Sequence, residues 1–179
     1  MPLALSVSLA AVGSEAGPGL LLAYALQGDV RRLRLPAPTP PGPADGLWQH
    51  SCFEAFVGVA GEVAYREFNF SPSGQWAAYR FHNQRQRDLA AEAAASALEP
   101  GITLKVTDNR LTLRAWLPLH ALPAPHLACE LGLSAVIETQ EGQLSYWALR
   151  HPCERPDFHH RGGWQPQPAL SDLFPLPAP

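Results

Sequence analysis

Short stretches in which apolar and polar residues alternate run through most of the chain, and turn-forming residues separate them. In the first stretch, every second residue from Leu3 to Leu9 is leucine or valine. A period of two places alternate side chains on opposite faces of a β-strand. Similar patterns and short apolar runs predict further strands at 19–26, 30–35, 52–59, 63–70, 75–82, 102–106, 111–117, 129–139 and 144–149. We therefore predict an all-β fold, an antiparallel β-sandwich of immunoglobulin-like or jelly-roll type with about 9–11 strands.

One segment, 88–98, has helical rather than strand character. It is rich in alanine, Asp88 can cap its start, and Pro100 and Gly101 follow its end. We expect a short helix inserted between strands. Prolines mark the irregular segments, with five of them in 36–43 and five in the last fifteen residues. The predicted organisation is one domain over 1–164 and a proline-rich C-terminal tail over 165–179.

Composition narrows the classes of partner. The formal net charge is −3 and only 16% of residues are charged, so no broad basic surface and no nucleic-acid partner are expected. The three cysteines form no C-x-x-C pair, which argues against a disulfide framework and a cysteine-rich zinc site. The N-terminal apolar stretch has no Lys or Arg before it, and no run of about 18 apolar residues follows. We predict a cytoplasmic protein without a membrane span.

Polar residues with the potential to bind a ligand are concentrated first between Trp48 and Trp76. Strand alternation places Glu67 and Asn69 on one face of their strand, and Glu54 lies on a face with Cys52 in the preceding strand. A face that carries Glu54, Glu67 and Asn69 is either a polar binding site or a solvated outer face with cross-strand pairs. The residues leave both interpretations open.

A second concentration lies between Tyr146 and Trp164. Three arginines, three histidines and one aspartate occupy a loop bounded by tryptophans, and loops of this composition often carry function. The alternative is a long loop whose charged groups fix its own backbone. His159 and His160 are adjacent, so in an extended chain their side chains point apart, and we expect no metal site.

These segments resemble a known superfamily. The motif Trp48…Cys52-Phe-Glu54-Ala-Phe-Val, followed by Tyr65-Arg-Glu-Phe-Asn-Phe-Ser-Pro-Ser-Gly74-Gln-Trp76, resembles the DOMON-like superfamily. That superfamily includes bacterial DOMON-like proteins, the family 9 carbohydrate-binding modules and the haem-binding cytochrome domains of some dehydrogenases. With the order of strands, the resemblance covers nearly the whole chain.

The resemblance implies roles for particular residues. Trp48 and Trp164 match two tryptophans that sandwich a terminal sugar in the binding modules, and Glu54 matches the glutamate that binds its hydroxyls. Asn69 and Arg161 are the corresponding polar partners. The chain departs from the modules at 50–52, where they carry an aspartate, so no calcium role is carried over.

We therefore predict a non-catalytic domain that binds a carbohydrate or a small polar or anionic ligand. Arg150, Arg155 and Arg161 would favour an anionic one. No G-x-S-x-G, P-loop, G-x-G-x-x-G or H-E-x-x-H motif is present, and we expect no catalysis. The candidate ligand-binding residues are Trp48, Glu54, Glu67, Asn69, Trp76, Trp147, His151, Asp157, His159, Arg161 and Trp164.

Two alternatives to a small-molecule ligand stay open. The first is haem, although no cofactor is our main expectation. Met1 is the only methionine, so ligation would need two histidines, drawn from His151, His159 or His160 with His50 or His82. The second alternative is a protein-interaction domain whose polar face meets another chain.

Overall fold

The computed structural model describes residues 2–14 and 17–173. Within this part of the chain, the strands are β1 (Ala4–Ser14), β2 (Gly17–Gln27), β3 (Gly42–Pro43), β4 (Cys52–Val59), β5 (Tyr65–Phe70), β6 (Gln75–Asn83), β7 (Gln86–Arg87), β8 (Gly101–Thr107), β9 (Arg110–Pro118), β10 (Cys129–Glu138), β11 (Leu144–Ala148) and β12 (Gln165–Gln167). One α-helix, α1 (Leu89–Ala93), lies among them, and no helix described is long and apolar enough to cross a membrane.

The strands form two sheets. The smaller sheet has the order β1-β2-β9-β8, and all its neighbours are antiparallel. The larger sheet has the order β11-β10-β4-β5-β6-β3, with β12 paired to β10 and β7 paired to β6. The short pairing of β3 with β6 is the parallel one among the named strands described. The predicted all-β sandwich is confirmed.

The main core lies between the inner faces of the two sheets. Every second residue of β4 and of β9 faces inward and is almost fully buried, including Phe53 and Leu113. Tyr24 of β2 crosses this core, since its ring packs against Phe53 and its hydroxyl donates a 2.8 Å hydrogen bond to the main-chain carbonyl of Glu54. The two sheets are therefore joined by a polar bond as well as by apolar packing.

A second, smaller apolar cluster covers part of the outer face of the larger sheet. It comprises Phe56, Tyr65, Ala77, Tyr79, Phe81 and Trp164, with Leu47 and Phe158 packed against it. The segment 157–164 supplies the covering residues. Because of this layer, β4 is buried along its whole length on both faces.

Two predicted elements differ from those observed. The segment 30–35 is not a strand: Val30–Arg32 forms a 3-10 turn, and Leu33 makes a single bridge to Thr139. Val30 and Leu33 are both buried, and the three-residue period of a 3-10 turn brings them to one side. The predicted helix at 88–98 shrinks to α1, which buries no residue and so lacks the packing that extends short helices. Asp88 caps it, as expected, by accepting the Ala91 N–H at 2.9 Å.

The segment after residue 164 begins with ordered contacts. β12 pairs with the start of β10, and Leu170 is buried in the main core. The division at residue 164 stays a prediction, but the described start of the predicted tail is held on the sandwich by a strand and a core side chain. Residues 174–179 of that tail lie outside the described residues.

Candidate functional site

A cavity of about 1050 Å³ opens on the outer face of the larger sheet. Its floor includes Glu54 and Glu67 from the central strands β4 and β5. One wall is the segment 44–50, which enters the larger sheet at β4, and another is the segment 156–159. The floor therefore belongs to the most regular part of the fold, whereas the walls are loops.

Three polar residues lie side by side across the floor strands. In the register of the sheet, Ser134 of β10 is opposite Glu54, and Glu54 is opposite Asn69. All three are at most 3% exposed, and Ser134 Oγ, Glu54 Oε1 and Asn69 Oδ1 make no hydrogen bond of good geometry among the described residues, although Ser134 lies close enough to the Glu54 carboxyl group to lower its pKa slightly against the effect of burial. Buried polar atoms are paired in the great majority of cases, so a row of three unpaired ones indicates a functional region.

The two floor carboxyl groups have unusual acidities. Burial raises the pKa of Glu54 well above its usual range, and the nearby charge of Glu67 raises it further. Burial also raises the pKa of Glu67 to about 7, although the 2.9 Å hydrogen bond from Asn69 Nδ2 opposes this shift. Near neutral pH, Glu67 is therefore present in both forms, and burial favours the protonated form of Glu54, so a carboxyl group of the floor can donate a hydrogen bond to a ligand as well as accept one.

His159 connects Glu67 to the covering segment. The Tyr65 hydroxyl accepts the Arg85 N–H at 3.0 Å and shares a 2.8 Å hydrogen bond with His159 Nδ1. Burial lowers the pKa of His159 to about 4, which leaves the ring neutral near neutral pH. His159 Nε2 lies 3.7 Å from Glu67 Oε2, so the imidazole links the carboxyl group to the hydroxyl of Tyr65.

The walls present aromatic surface. Trp48 lies in the 3-10 turn Leu47–Gln49 and is 51% exposed where it lines the cavity. Gly46, which precedes this turn, has a φ of 72°, a left-handed conformation that glycine adopts without strain. Tyr79 projects from β6 and donates a 2.8 Å hydrogen bond to Asp45 Oδ1, which fixes the loop that carries Trp48.

The arginines at the cavity are already neutralised. Arg85 forms a 2.7 Å ion pair with Asp157, and Arg87 forms a 2.5 Å ion pair with Glu92. The Arg87 guanidinium also lies 4.4 Å from the centre of the Tyr79 ring. The cavity therefore has an acidic floor, and its two arginines are paired with carboxylates that lie outside that floor.

The structure brings four of the predicted site residues to this cavity: Trp48, Glu54, Glu67 and His159. Asn69 lies beneath them, fully buried and bonded to Glu67. The remaining six residues do not line it, for reasons that differ between them.

Three of these six make their described contacts away from the cavity. Trp76 is 9% exposed and packs in the main core between the sheets. Trp147 packs against that core, and its indole N–H donates to Ser145 Oγ at 3.0 Å. His151 is exposed, and its ring faces Phe158 at 6.4 Å between centres.

The other three hold the covering segment in place. Asp157 pairs with Arg85, as described above, and Arg161 forms an ion pair with Glu130 while its guanidinium lies 4.8 Å from the Trp164 ring. Trp164 is 8% exposed, and its indole N–H donates to the Phe158 carbonyl at 2.8 Å. Trp164 therefore does not line the cavity that Trp48 lines, and the expected pair of sugar-stacking rings is not brought together.

Sequence reasoning missed several residues that line the cavity. Tyr79 stands opposite Glu67 in the register of β5 and β6, and alternation along the predicted strand at 75–82 places it with Phe81. Once β6 is paired with β5, this alternation predicts that Tyr79 lies beside Glu67. Asp45 and Phe158 lie in irregular segments, where no periodicity marks them. His50 lines the cavity and its Nδ1 lies 2.8 Å from Glu138 Oε2, which holds the ring at the wall.

Comparison with known proteins adds one finding at the level of the fold. No protein-family model matches this sequence, and no curated protein sequence matches it significantly. Among solved structures, the chain is similar to a "putative carbohydrate-binding protein" from Bacteroides uniformis, with a TM-score of 0.65 and 17% identity over 93% of this chain and 78% of that one. A likeness at this identity establishes a shared fold, and the DOMON-like resemblance stays a prediction.

Proposed function

We propose that this protein is a non-catalytic binding domain whose cavity takes a neutral carbohydrate. The observation that carries the proposal is the row of unpaired buried atoms from Ser134, Glu54 and Asn69 beneath a cavity with an exposed tryptophan. A saccharide offers hydroxyl groups, which both donate and accept hydrogen bonds, and a C–H face that packs on aromatic rings. The carbohydrate-binding designation of the Bacteroides protein is consistent with this proposal.

Trp48 would supply the stacking surface. Its ring is half exposed at the wall, as Tyr146 is at 44%, whereas Tyr79 and Phe81 near the floor are mostly buried. Glu54 and Glu67 would bind hydroxyl groups, and their raised pKa values allow them to act as donors as well as acceptors. A cavity of about 1050 Å³ stands at the upper end of the usual range for small-molecule sites, roughly 300–1000 Å³.

The charge distribution favours a neutral ligand over an anionic one. Two carboxyl groups lie in the floor, and a ligand carboxylate or phosphate there would face like charge whenever Glu67 is ionised. The arginines that suggested an anionic ligand, Arg150, Arg155 and Arg161, do not line the cavity. Arg85 and Arg87 do line it, but both are ion-paired.

The test is a thermal-shift screen against neutral saccharides, sugar acids and sugar phosphates. A ligand at about 100 times its Kd adds about 2.7 kcal/mol of apparent stability. We expect neutral saccharides to stabilise the wild type and to lose this effect in Trp48→Ala. Leu104→Ala is the matched control, because Leu104 is an exposed apolar residue of the smaller sheet, and it should respond like the wild type.

Other outcomes would contradict the proposal. Stabilisation by sugar acids or phosphates alone would show that the ligand is anionic. A shift that persists in Trp48→Ala would place the sugar elsewhere. If no saccharide binds and haem addition produces a Soret band that is lost in His159→Gln, the haem alternative would replace carbohydrate binding. Release of reducing ends from a bound oligosaccharide would show that the domain hydrolyses its ligand and would contradict the non-catalytic role.

A further inference from the structure

A second depression, of about 230 Å³, lies at one end of the sandwich. It is lined by the start of β5, the end of β6, the start of α1 and Pro123. Apart from Phe81, which lines both, the residues that line this depression do not line the larger cavity. An inference about this depression is therefore independent of the proposed carbohydrate site.

Two arginines meet in this depression. Arg66 of β5 stands directly opposite Arg80 of β6 in the sheet register, and both are half-buried. They lie on the face of the larger sheet that is directed toward the smaller sheet, since Phe68 follows Arg66 by two residues and packs in the main core. Cross-strand neighbours of like charge destabilise a sheet, so this pairing needs a compensating interaction.

The described residues supply little compensation. Arg66 donates one hydrogen bond to the Ala121 carbonyl, which leaves its other N–H groups without a partner, and the Arg80 guanidinium has no hydrogen bond or ion pair in the described part of the chain. Glu62 and Asp88 also border the depression, but neither forms an ion pair with either arginine. The Asp88 carboxylate instead caps α1.

The pKa of Arg66 also reflects the absence of a neutralising carboxylate among the described residues. Burial lowers the pKa of Arg66 to about 10, and the charge of Arg80 lowers it further, with no carboxylate acting in the opposite direction. A guanidinium presents a planar set of donors that matches the oxygen atoms of phosphate, sulfate and carboxylate groups. Two such groups, carried by residues that stand opposite each other on neighbouring strands and line one depression, can hold one oxyanion between them.

We propose that the depression between Arg66 and Arg80 is an anion site that takes a tetrahedral oxyanion, the phosphate or sulfate group of a small ligand. The anion would bridge the two guanidinium groups and remove their mutual repulsion. Its affinity would depend on both arginines and would be independent of Trp48 and the acidic floor.

The test is calorimetric titration of the full chain with inorganic phosphate and with sulfate, in chloride buffer of constant ionic strength. We expect saturable binding of one equivalent in the wild type. Arg80→Gln should weaken it at least about tenfold, because a charged hydrogen-bond partner is lost. Arg80→Lys, which keeps the charge and loses the planar fork, should fall between the two. Arg114→Gln, at an exposed position of the smaller sheet, is the control and should bind like the wild type.

Arg80 is the suitable position because its guanidinium makes no bond within the described residues, so its replacement should leave the fold intact. Equal binding by Arg80→Gln and the wild type would overturn the proposal, since the anion would then lie elsewhere. Absence of saturable binding in the wild type would overturn it as well. If the Trp48→Ala variant loses anion binding as the Arg80→Gln variant does, the anion lies in the larger cavity. That result would also contradict the proposed site.

Discussion

The pH dependence of stability should contain two large and opposed contributions, from Glu67 and His159. In the folded protein the pKa of Glu67 is raised from 4.5 to about 7, so the unfolded chain loses this proton first as pH rises. The stabilising contribution of Glu67 to the free energy of unfolding is therefore complete below pH 4.5 and is lost as pH rises to about 7. The pKa of His159 is lowered from 6.5 to about 4, so the unfolded chain gains this proton first as pH falls. Its contribution is complete above pH 6.5 and is lost as pH falls to about 4.

The two contributions have similar size. Each pKa moves by about 2.5, which corresponds to about 3 kcal/mol in the free energy of unfolding. Both side chains are mostly buried, with 6% exposure for Glu67 and 17% for His159, so solvent screening reduces these values little. Because the signs are opposite and the pH windows overlap, the wild type should show little net dependence on this pair between about pH 4.5 and 6.5.

Replacing one residue of the pair at a time should reveal the two opposed contributions to the free energy of unfolding. Glu67→Gln keeps an acceptor for Asn69 but removes the ionisation, so its free energy of unfolding should rise by about 3 kcal/mol relative to the wild type between pH 4.5 and 7. The free energy of unfolding of His159→Gln should fall by a similar amount relative to the wild type as pH rises from about 4 to 6.5, because in this variant only Glu67 of the pair titrates. Glu99→Gln, at an exposed position, is the control and should follow the wild type.

The assay is urea unfolding followed by tryptophan fluorescence at a series of pH values between about 4 and 8. Differences between each variant and the wild type are the informative quantity, because the raised pKa of Glu54 adds a background to every protein. That background is common to the wild type, His159→Gln and Glu99→Gln, whereas Glu67→Gln also removes the charge that raises the pKa of Glu54. If the curve of Glu67→Gln runs parallel to that of the wild type, Glu67 has an ordinary acidity in the folded state and the reasoning fails. If the curve of His159→Gln runs parallel to that of the wild type, the imidazole of His159 has an ordinary pKa in the folded state and the reasoning fails for that residue.

Two further predictions concern packing and the bond between the sheets. A Cβ atom at Gly132 would lie 2.5 Å from Trp164 Nε1, so Gly132→Ala should lower the free energy of unfolding by about 1–3 kcal/mol, whereas Gly42→Ala, where nothing lies within 4 Å, should not. Chemical denaturation of the two variants decides this, and equal stability would mean that Trp164 is free to move. Tyr24→Phe removes the hydrogen bond to the Glu54 carbonyl and should cost about 1 kcal/mol in the same assay. An unchanged midpoint would show that water replaces the hydroxyl.

The sequence predicted the parts of the fold that depend on local alternation. The strands at 52–59, 63–70 and 75–82 correspond to β4, β5 and β6, because in each of them one face packs in the main core. The same alternation grouped Glu54, Glu67 and Asn69 on one face, and the structure places them together. A period of two thus carries information about the site as well as about the core.

The rest depended on contacts between distant segments. Ser134 meets Glu54 because β10 pairs with β4, and no local pattern specifies that neighbour. Trp164 is buried because Gly132, thirty-two positions earlier, leaves room for its ring. A tryptophan in a polar, glycine-containing loop reads as a ligand-contacting residue in the sequence, and only the tertiary arrangement shows that it packs on the outer face of the sheet.

The covering segment 157–164 also bears on how the cavity arises during synthesis. The floor strands β4, β5 and β6 are complete by residue 83, but β10, which carries Ser134, and the wall that contains Phe158 and His159 come much later in the chain. Ribosomes extend a chain at about 5–20 residues per second and domains fold as units, so a nascent chain that ends before residue 156 exposes Phe56 and Tyr65. We expect such intermediates to be recognised by chaperones, and the ability to bind a ligand to appear only when the last segments dock.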